Sequence, residues 1–144
     1  MLVHQVLAGK GLTGVVTLPS ATTVAEASRI LTEKKIGTVV VSEDGVTADG
    51  ILSERDIVRG LAKGGSSCLE KTIGNYMTKS LVTCSPDANT KAIMSQMTEG
   101  RFRHMPVLKD GELVGLISLG DVVKAELQRL SMEKNALEGM IMGH

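Results

Sequence analysis

Tryptophan is absent from this 144-residue chain, and Tyr76 and Phe102 are its only aromatic residues. A sequence so poor in rings lacks the stacking platforms on which single-strand nucleic-acid binders lay successive bases. Its core must be aliphatic and drawn in part from eight methionines. An excess of either charge is missing as well, because 16 Lys and Arg balance 16 Asp and Glu. No whole-chain field exists to concentrate a polyanion or an acidic lipid surface, so neither nucleic acid nor membrane is an expected partner.

Cys68 and Cys84 form no CxxC pair, and two cysteines are too few for a disulfide scaffold or a zinc knuckle. They read as reduced thiols. His4, His104 and His144 are scattered and give little support to a metal site of three ligands. No stretch reaches the ~20 apolar residues of a membrane helix, and Met1–Leu12 lacks the apolar region of a cleavable leader. The expectation is a soluble cytoplasmic protein. Its size suits one compact domain or two small halves, which bury roughly 68–70% of the unfolded surface.

What the sequence does contain is a repeat. Val16-Thr17 recurs as Val82-Thr83, Thr32-Glu33 as Thr98-Glu99 and Val41 as Val107, each at an offset of 66 residues. At an offset of 65, Gly50-Ile51-Leu52-Ser53 and Asp56-Ile57-Val58 match Gly115-Leu116-Ile117-Ser118 and Asp121-Val122-Val123. The flexible-looking stretch Gly64-Gly65-Ser66-Ser67 marks the boundary. The division is therefore 1–64 for a first repeat with its lead-in, 65–125 for a second repeat and 126–144 for a C-terminal helical extension.

Each unit reads as strand, helix, strand, strand, helix. A first strand ends before Pro19 or Pro86. Thr23 with Glu26 forms a capping box for the next helix, and Asn89 caps its counterpart. Apolar strands over 38–42 and 104–108 run into the hairpin signals Glu43-Asp44-Gly45 and Lys109-Asp110-Gly111. Strands over 49–52 and 113–117 follow, then helices from Ser53 and Ser118. Neither half alone would bury much of its sheet, so the fold class is α+β, with two repeats packed face to face about a pseudo-twofold axis.

The unit ending in Gly-hydrophobic-hydrophobic-Ser-x-x-Asp, twice in tandem over nearly the whole chain, resembles a pair of cystathionine-β-synthase (CBS) domains, or Bateman module. The stretches Ser53-Glu54-Arg55-Asp56-Ile57-Val58-Arg59 and Gly100-Arg101-Phe102-Arg103-His104-Met105-Pro106-Val107 are similar to those of small stand-alone bacterial members. The resemblance implies an adenosine-containing ligand held in clefts between the repeats, and regulation without catalysis.

Ser53-x-x-Asp56 and Ser118-x-x-Asp121 have two compatible readings. The spacing is that of a capping box, and it also sets a hydroxyl and a carboxylate together at a helix start. An ionised carboxylate accepts hydrogen bonds only, which suits the two hydroxyls of a ribose, while the serine hydroxyl can donate to a sugar or phosphate oxygen. Such a pair would repel phosphate, whose charge must be met elsewhere. The resemblance implies that a basic pair before the Pro-Val strand of one repeat faces the Ser-x-x-Asp of the other, which gives Arg103 and His104 that task. Arg101 reads as a solvated edge. Thr83 resembles the family's base- or sugar-contacting threonine, with strand propensity as its plain alternative.

One expected site therefore joins Ser53, Asp56, Thr83, Arg103 and His104. Its mirror joins Ser118, Asp121, Thr17, Gly37 and Thr38, and the absence of a basic pair there puts phosphate binding in doubt. Arg55, Arg59 and Lys124 could compensate, or are simply solvated. Adenine would lie between aliphatic groups such as Ile36, Val39, Met105 and Ile117, which equally suit a core. The last helix, from Asp121 to Met142, is long, with Val123, Leu127, Leu130, Leu137 and Ile141 near a seam interrupted by Lys134 and an end weakened by Gly139 and Gly143. It reads as a homodimer contact or as a helix folded back on its own domain.

The functional expectation is a regulatory module for an adenine nucleotide, AMP, ATP or NAD(H), acting on an unidentified regulated protein. Arg103 with His104 favours an anionic ligand over S-adenosylmethionine. The alternative is a dimerisation or interaction module with vestigial clefts. No catalytic motif appears, so no enzymatic activity is expected.

Overall fold

The structure, a computed structural model, describes residues 1–10 and 15–142. Leu12, Gly143 and His144, which entered the sequence reading, lie outside the described residues.

The chain opens with helix α1 (Val3–Gly9), and the first half follows as β1 (Thr17–Leu18), α2 (Val24–Lys34), β2 (Thr38–Val41), β3 (Gly50–Ser53) and α3 (Glu54–Gly64). The second half contains α4 (Thr90–Gly100), β4 (His104–Lys109), β5 (Glu112–Ser118) and α5 (Leu119–Ile141). In the first half β2 lies between β1, its parallel neighbour, and β3, its antiparallel one. Its Thr-Val-Val-Val run is buried at all four positions, as a strand covered on both faces must be.

The second sheet has two strands, β4 and β5, in antiparallel register from His104↔Ser118 to Lys109↔Glu112. The strand expected at Val82-Thr83 shrinks to a parallel bridge between Cys84 and Val107, held by the Cys84 N–H on the Pro106 carbonyl (3.1 Å) and the Leu108 N–H on the Cys84 carbonyl (2.8 Å). Pro86, two residues on, has no N–H with which to extend the ladder.

The two hairpin signals resolve differently. Asp110 (φ 52°) and Gly111 (φ 81°) take the two successive left-handed conformations that a tight hairpin needs. The first-half connection instead spans residues 42–49, because the Asp44 carboxylate accepts from the Val46 and Thr47 N–H groups and closes a wider loop. The capping box at α2 is half formed. Thr23 Oγ1 accepts from the Glu26 N–H, but the Glu26 carboxylate turns to Arg29, the stronger charged partner. The linker expected at Gly64–Ser67 is not open chain. α3 runs to Gly64, a 3₁₀ turn covers 65–70, and Cys68 is buried against the helix.

Two hydrophobic cores form, and neither follows the divisions of the sequence. The first gathers Val24, Leu31, Val39, Leu52 and Ile57, with Cys68 and Ile73 from beyond the expected boundary at 64. The second gathers Ile93, Met97, Met105, Ile117 and Val122, with Val3 from the chain's start. Each half is thus closed by a lead-in segment that sequence order assigns to the other.

Glycine makes the exchange possible at equivalent positions. A Cβ at Gly50 would meet Met77 Sδ at 2.5 Å and the Thr78 carbonyl at 3.0 Å, and one at Gly115 would meet Leu7 Cδ1 at 2.7 Å. Helix α5 continues unbroken past 125. Its first turns pack on α4, where buried Glu126 accepts from Thr90 Oγ1 at 2.9 Å, and beyond Leu127 its apolar side chains are largely exposed.

Candidate functional site

The repeat brings equivalent residues together at its axis. Thr38 and His104 begin β2 and β4, 66 positions apart, and Thr38 Oγ1 lies 3.3 Å from His104 Nδ1 and 3.2 Å from Nε2. Both are delivered by the same local device. α2 and α4 end in left-handed residues at equivalent positions, Lys35 (φ 55°) and Arg101 (φ 56°), so each chain reverses into its strand. The Gly37 carbonyl then accepts the first N–H of α3 (Glu54, 3.0 Å), and the Arg103 carbonyl accepts that of α5 (Leu119, 2.8 Å).

On one side of this axis opens a cleft of about 630 Å³. The start of α3 supplies Ser53, Asp56 and Arg59, the start of β4 supplies Arg101, Phe102, Arg103 and His104, and the connecting chain supplies Thr78, Ser80, Leu81 and Val82. Gly37 and Thr38 line it as well. The cleft therefore unites Ser53, Asp56, Arg103 and His104, and adds Thr38, which the sequence assigns to the mirror site.

Ser53 caps α3 through a full capping box. Its N–H donates to Asp56 Oδ2 at 2.8 Å, and its Oγ accepts from the Asp56 N–H at 3.4 Å. The serine hydroxyl also donates to Asp56 Oδ2 at 3.1 Å, so its proton is directed inward rather than at a ligand. Asp56 is 8% exposed. Its Oδ1 has the looser neighbour, the exposed Arg59 guanidinium at 3.5 Å, and is the oxygen best placed to accept from a ligand. Around it stand four arginines, Arg55, Arg59, Arg101 and Arg103, against the carboxylates of Glu54 and Asp56. Such a wall can meet an anion while Asp56 accepts from hydroxyls.

Burial lowers the His104 pKa from its ordinary value, the charges of Lys10 and Arg103 lower it further, and Asp121 acts in the opposite sense. The ring therefore favours its neutral form.

The mirror position is built from the same cap. Ser118 Oγ accepts from the Asp121 N–H at 3.1 Å, and the Ser118 N–H donates to Asp121 Oδ2 at 2.9 Å. The second donor to that oxygen differs from the first half's serine hydroxyl: Lys10 Nζ lies 2.8 Å from the same Oδ2. Burial works to raise the Asp121 pKa, and the Lys10 and Ser118 hydrogen bonds overcome it, holding the carboxyl below its usual range.

Other expected site residues fall elsewhere. Met105 is wholly buried in the second core with Ile117, and Val39 in the first, so none of these three presents a surface to adenine. The apolar lining of the cleft comes instead from Ile51, Leu81, Val82 and Phe102. Phe102 thus gives the cleft an aromatic that the expected aliphatic sandwich lacked. Thr83 is exposed, just past the lining residue Val82, and Thr17 is half-buried in β1 opposite Val40.

Arg101, read as a solvated edge, lines the cleft, as do Arg55 and Arg59, which the sequence offered to the mirror site. Lys10 and residues 78–81 carry no part in the site that the sequence indicates. The second of these has a signal, since it immediately precedes the repeated Val82-Thr83, whereas Lys10 has none. Among the described residues no helix is long and apolar enough to cross a membrane, and no cluster of His, Cys, Asp and Glu could hold a metal ion.

Comparisons with known proteins agree with this architecture. The CBS domain family model matches residues 12–63 and 73–128. The crystal structure of the CBS-domain containing protein ATU1752 from Agrobacterium tumefaciens is similar at 42% identity and a TM-score of 0.82, covering 88% of this chain and 99% of that one. CBS domain protein PAE2072 from Pyrobaculum aerophilum, complexed with AMP, shares the fold at 24% identity and a TM-score of 0.77, covering 92% of this chain and 99% of that one. CBS domain-containing protein CBSX3, mitochondrial, of Arabidopsis thaliana is 34% identical over 125 residues, 84% of this chain. The chain spans 61% of that relative's length. Two matched units, two equivalent Ser-x-x-Asp caps and a shared axis have one account: the chain belongs to the CBS-domain family and contains a tandem CBS pair.

Proposed function

We propose that the chain is a regulatory module that binds an adenine nucleotide, AMP, ATP or NAD(H), in the cleft beside α3, and that it acts by binding rather than by catalysis. The observation that carries this reading is the pairing of one buried acceptor, Asp56, with arginines from both halves, Arg55 and Arg59 on its own helix and Arg101 and Arg103 from the other repeat. A ribose diol donates to the carboxylate and a phosphate accepts from Arg103 and His104, so one molecule with both groups satisfies both kinds of partner. Phe102, Leu81 and Val82 offer the base an apolar bed. The same fold in PAE2072 holds AMP, which supports the choice of ligand class.

A ligand touching both halves shifts their relative angle only as far as its affinity differs between two arrangements. The test is a calorimetric titration with AMP, ATP and NADH. Heat with the parent chain, lost in Asp56→Ala, is the expected result; no heat with any of the three would remove the reading.

A second reading, self-association, is favoured by a separate observation. Leu127, Leu130, Leu137 and Ile141 on α5 are 50–85% exposed, as is Val58 on α3 at 64%. Such a row suits a homodimer contact, compatible with nucleotide binding. Sedimentation of Leu127→Glu/Leu130→Glu against the parent chain tests it, with a fall from dimer to monomer expected.

A further inference from the structure

The two capping carboxylates occupy equivalent positions and meet different neighbours. Among the described residues, the hydrogen-bonding and ionic partners of Asp56 all come from its own half: the Ser53 N–H and hydroxyl, and the Arg59 guanidinium. Asp121 is held by a side chain 111 positions away, the Lys10 ammonium at 2.8 Å. That ammonium also donates to the Leu116 carbonyl at 3.0 Å. At the matching place in the first half, the Ile51 carbonyl accepts from the Thr78 backbone N–H at 2.8 Å. Lys10 thus takes the place of a backbone donor and reaches on to the carboxylate.

Its position is not that of a wandering surface chain. It directly follows α1, whose Val3 is fully buried and whose Val6 and Leu7 pack on the second core. The partners are partly sheltered, with 37% of the Lys10 side chain and 22% of the Asp121 side chain exposed. An ammonium and a vicinal diol compete for the same carboxylate lone pairs. Oδ2 carries two donors in both carboxylates, the Ser53 N–H and hydroxyl at Asp56 and the Ser118 N–H and Lys10 at Asp121, so what sets Asp121 apart is the ammonium brought from the far end of the chain. The lowered pKa of His104, to which the Lys10 charge contributes, agrees with an ammonium close to the axis.

We infer that Lys10 is an internal occupant of the second cleft: its ammonium holds the carboxylate that a ribose requires, so the chain loads nucleotide beside Asp56, and the Asp121 cleft opens only when Lys10 leaves. The ligand class rests on the reading given under Proposed function; the occupancy of Asp121 by Lys10 does not.

The test is the stoichiometry of AMP in calorimetric titrations of the full chain, Lys10→Met, Lys10→Arg and Lys10→Met/Asp121→Asn. One AMP per chain is expected for the parent and for Lys10→Arg, which keeps a cation in place. Two are expected for Lys10→Met, returning to one when Asp121→Asn is added. A structural ion pair alone would change the melting temperature and leave stoichiometry untouched. If the parent binds none and Lys10→Met binds one that Asp121→Asn removes, the first-cleft reading falls and the Lys10 inference stands. If the parent already binds two, or Lys10→Met binds no more than the parent, the inference is overturned.

Discussion

The helix start that borders the cleft, at α3, and its counterpart at α5 begin from the same backbone. Each has a serine cap, an aspartate three residues on, a left-handed residue closing the preceding helix and a carbonyl that accepts the new helix's first N–H. They differ in their side chains, because Gly37-Thr38 and Arg103-His104 both line the cleft beside α3, and because Lys10 pairs with Asp121 and not with Asp56. The two halves share what backbone geometry requires, namely caps and tight reversals. They differ in the side chains that a ligand would meet. Equivalent aspartates therefore cannot be assigned equal roles from their motif alone.

The sharpest way to break the comparison is to remove each carboxylate in turn. Asp56→Ala should weaken AMP binding about 100-fold, or roughly 2–3 kcal/mol, the scale of losing a charged hydrogen-bond acceptor. Asp121→Ala should leave the first-cleft affinity within about threefold. Calorimetry reads both, and the opposite pattern would exchange the two clefts.

Next in size are the glycines that admit the crossed lead-ins. Gly50→Ala faces a fixed carbonyl and should cost about 1–3 kcal/mol, as overpacking does. Gly115→Ala meets only the movable end of Leu7 and should cost less. Urea denaturation compares them, and equal losses would contradict the asymmetry.

Arg103→Ala should weaken AMP about tenfold, near 1.4 kcal/mol, and leave adenosine affinity unchanged. A parallel loss with adenosine would place Arg103 away from the phosphate.

The smallest effect is on pH dependence. His104 has a lowered folded pKa, so the unfolded chain takes up its proton first as pH falls below about 6.5. Its contribution to stability is whole above that pH and declines below it. Asp121, also lowered, contributes above about 3.8 and loses that contribution only as pH falls through its folded value. Denaturation midpoints between pH 8 and 5.5 should fall more for the parent than for His104→Gln; identical slopes would refute the shift at His104.

The repeat was legible because capping, reversal and β-branched runs leave local signatures, and both Ser-x-x-Asp helices begin where their spacing indicated. Arg103 and His104 line the cleft with Asp56, a grouping that only the family resemblance implied and that no local pattern in the sequence indicates. What escaped was non-local. An apolar lead-in such as Val3–Leu7 or Cys68–Met77 advertises burial without saying in which half, so the crossing of the two could not be read. Met105 is as plausible beside a base as in a core, and only its complete burial decides. Lys10 resembles any surface lysine until α1 docks and carries it to Asp121.

The exchange of lead-in segments makes the two repeats interlock like links of a chain. Cutting the polypeptide near residue 64 would leave each fragment with an open wound, one lacking Cys68 and Ile73 and the other lacking Val3. The pair is consequently the smallest unit in which both cores are complete, and its melting should be a single concerted event.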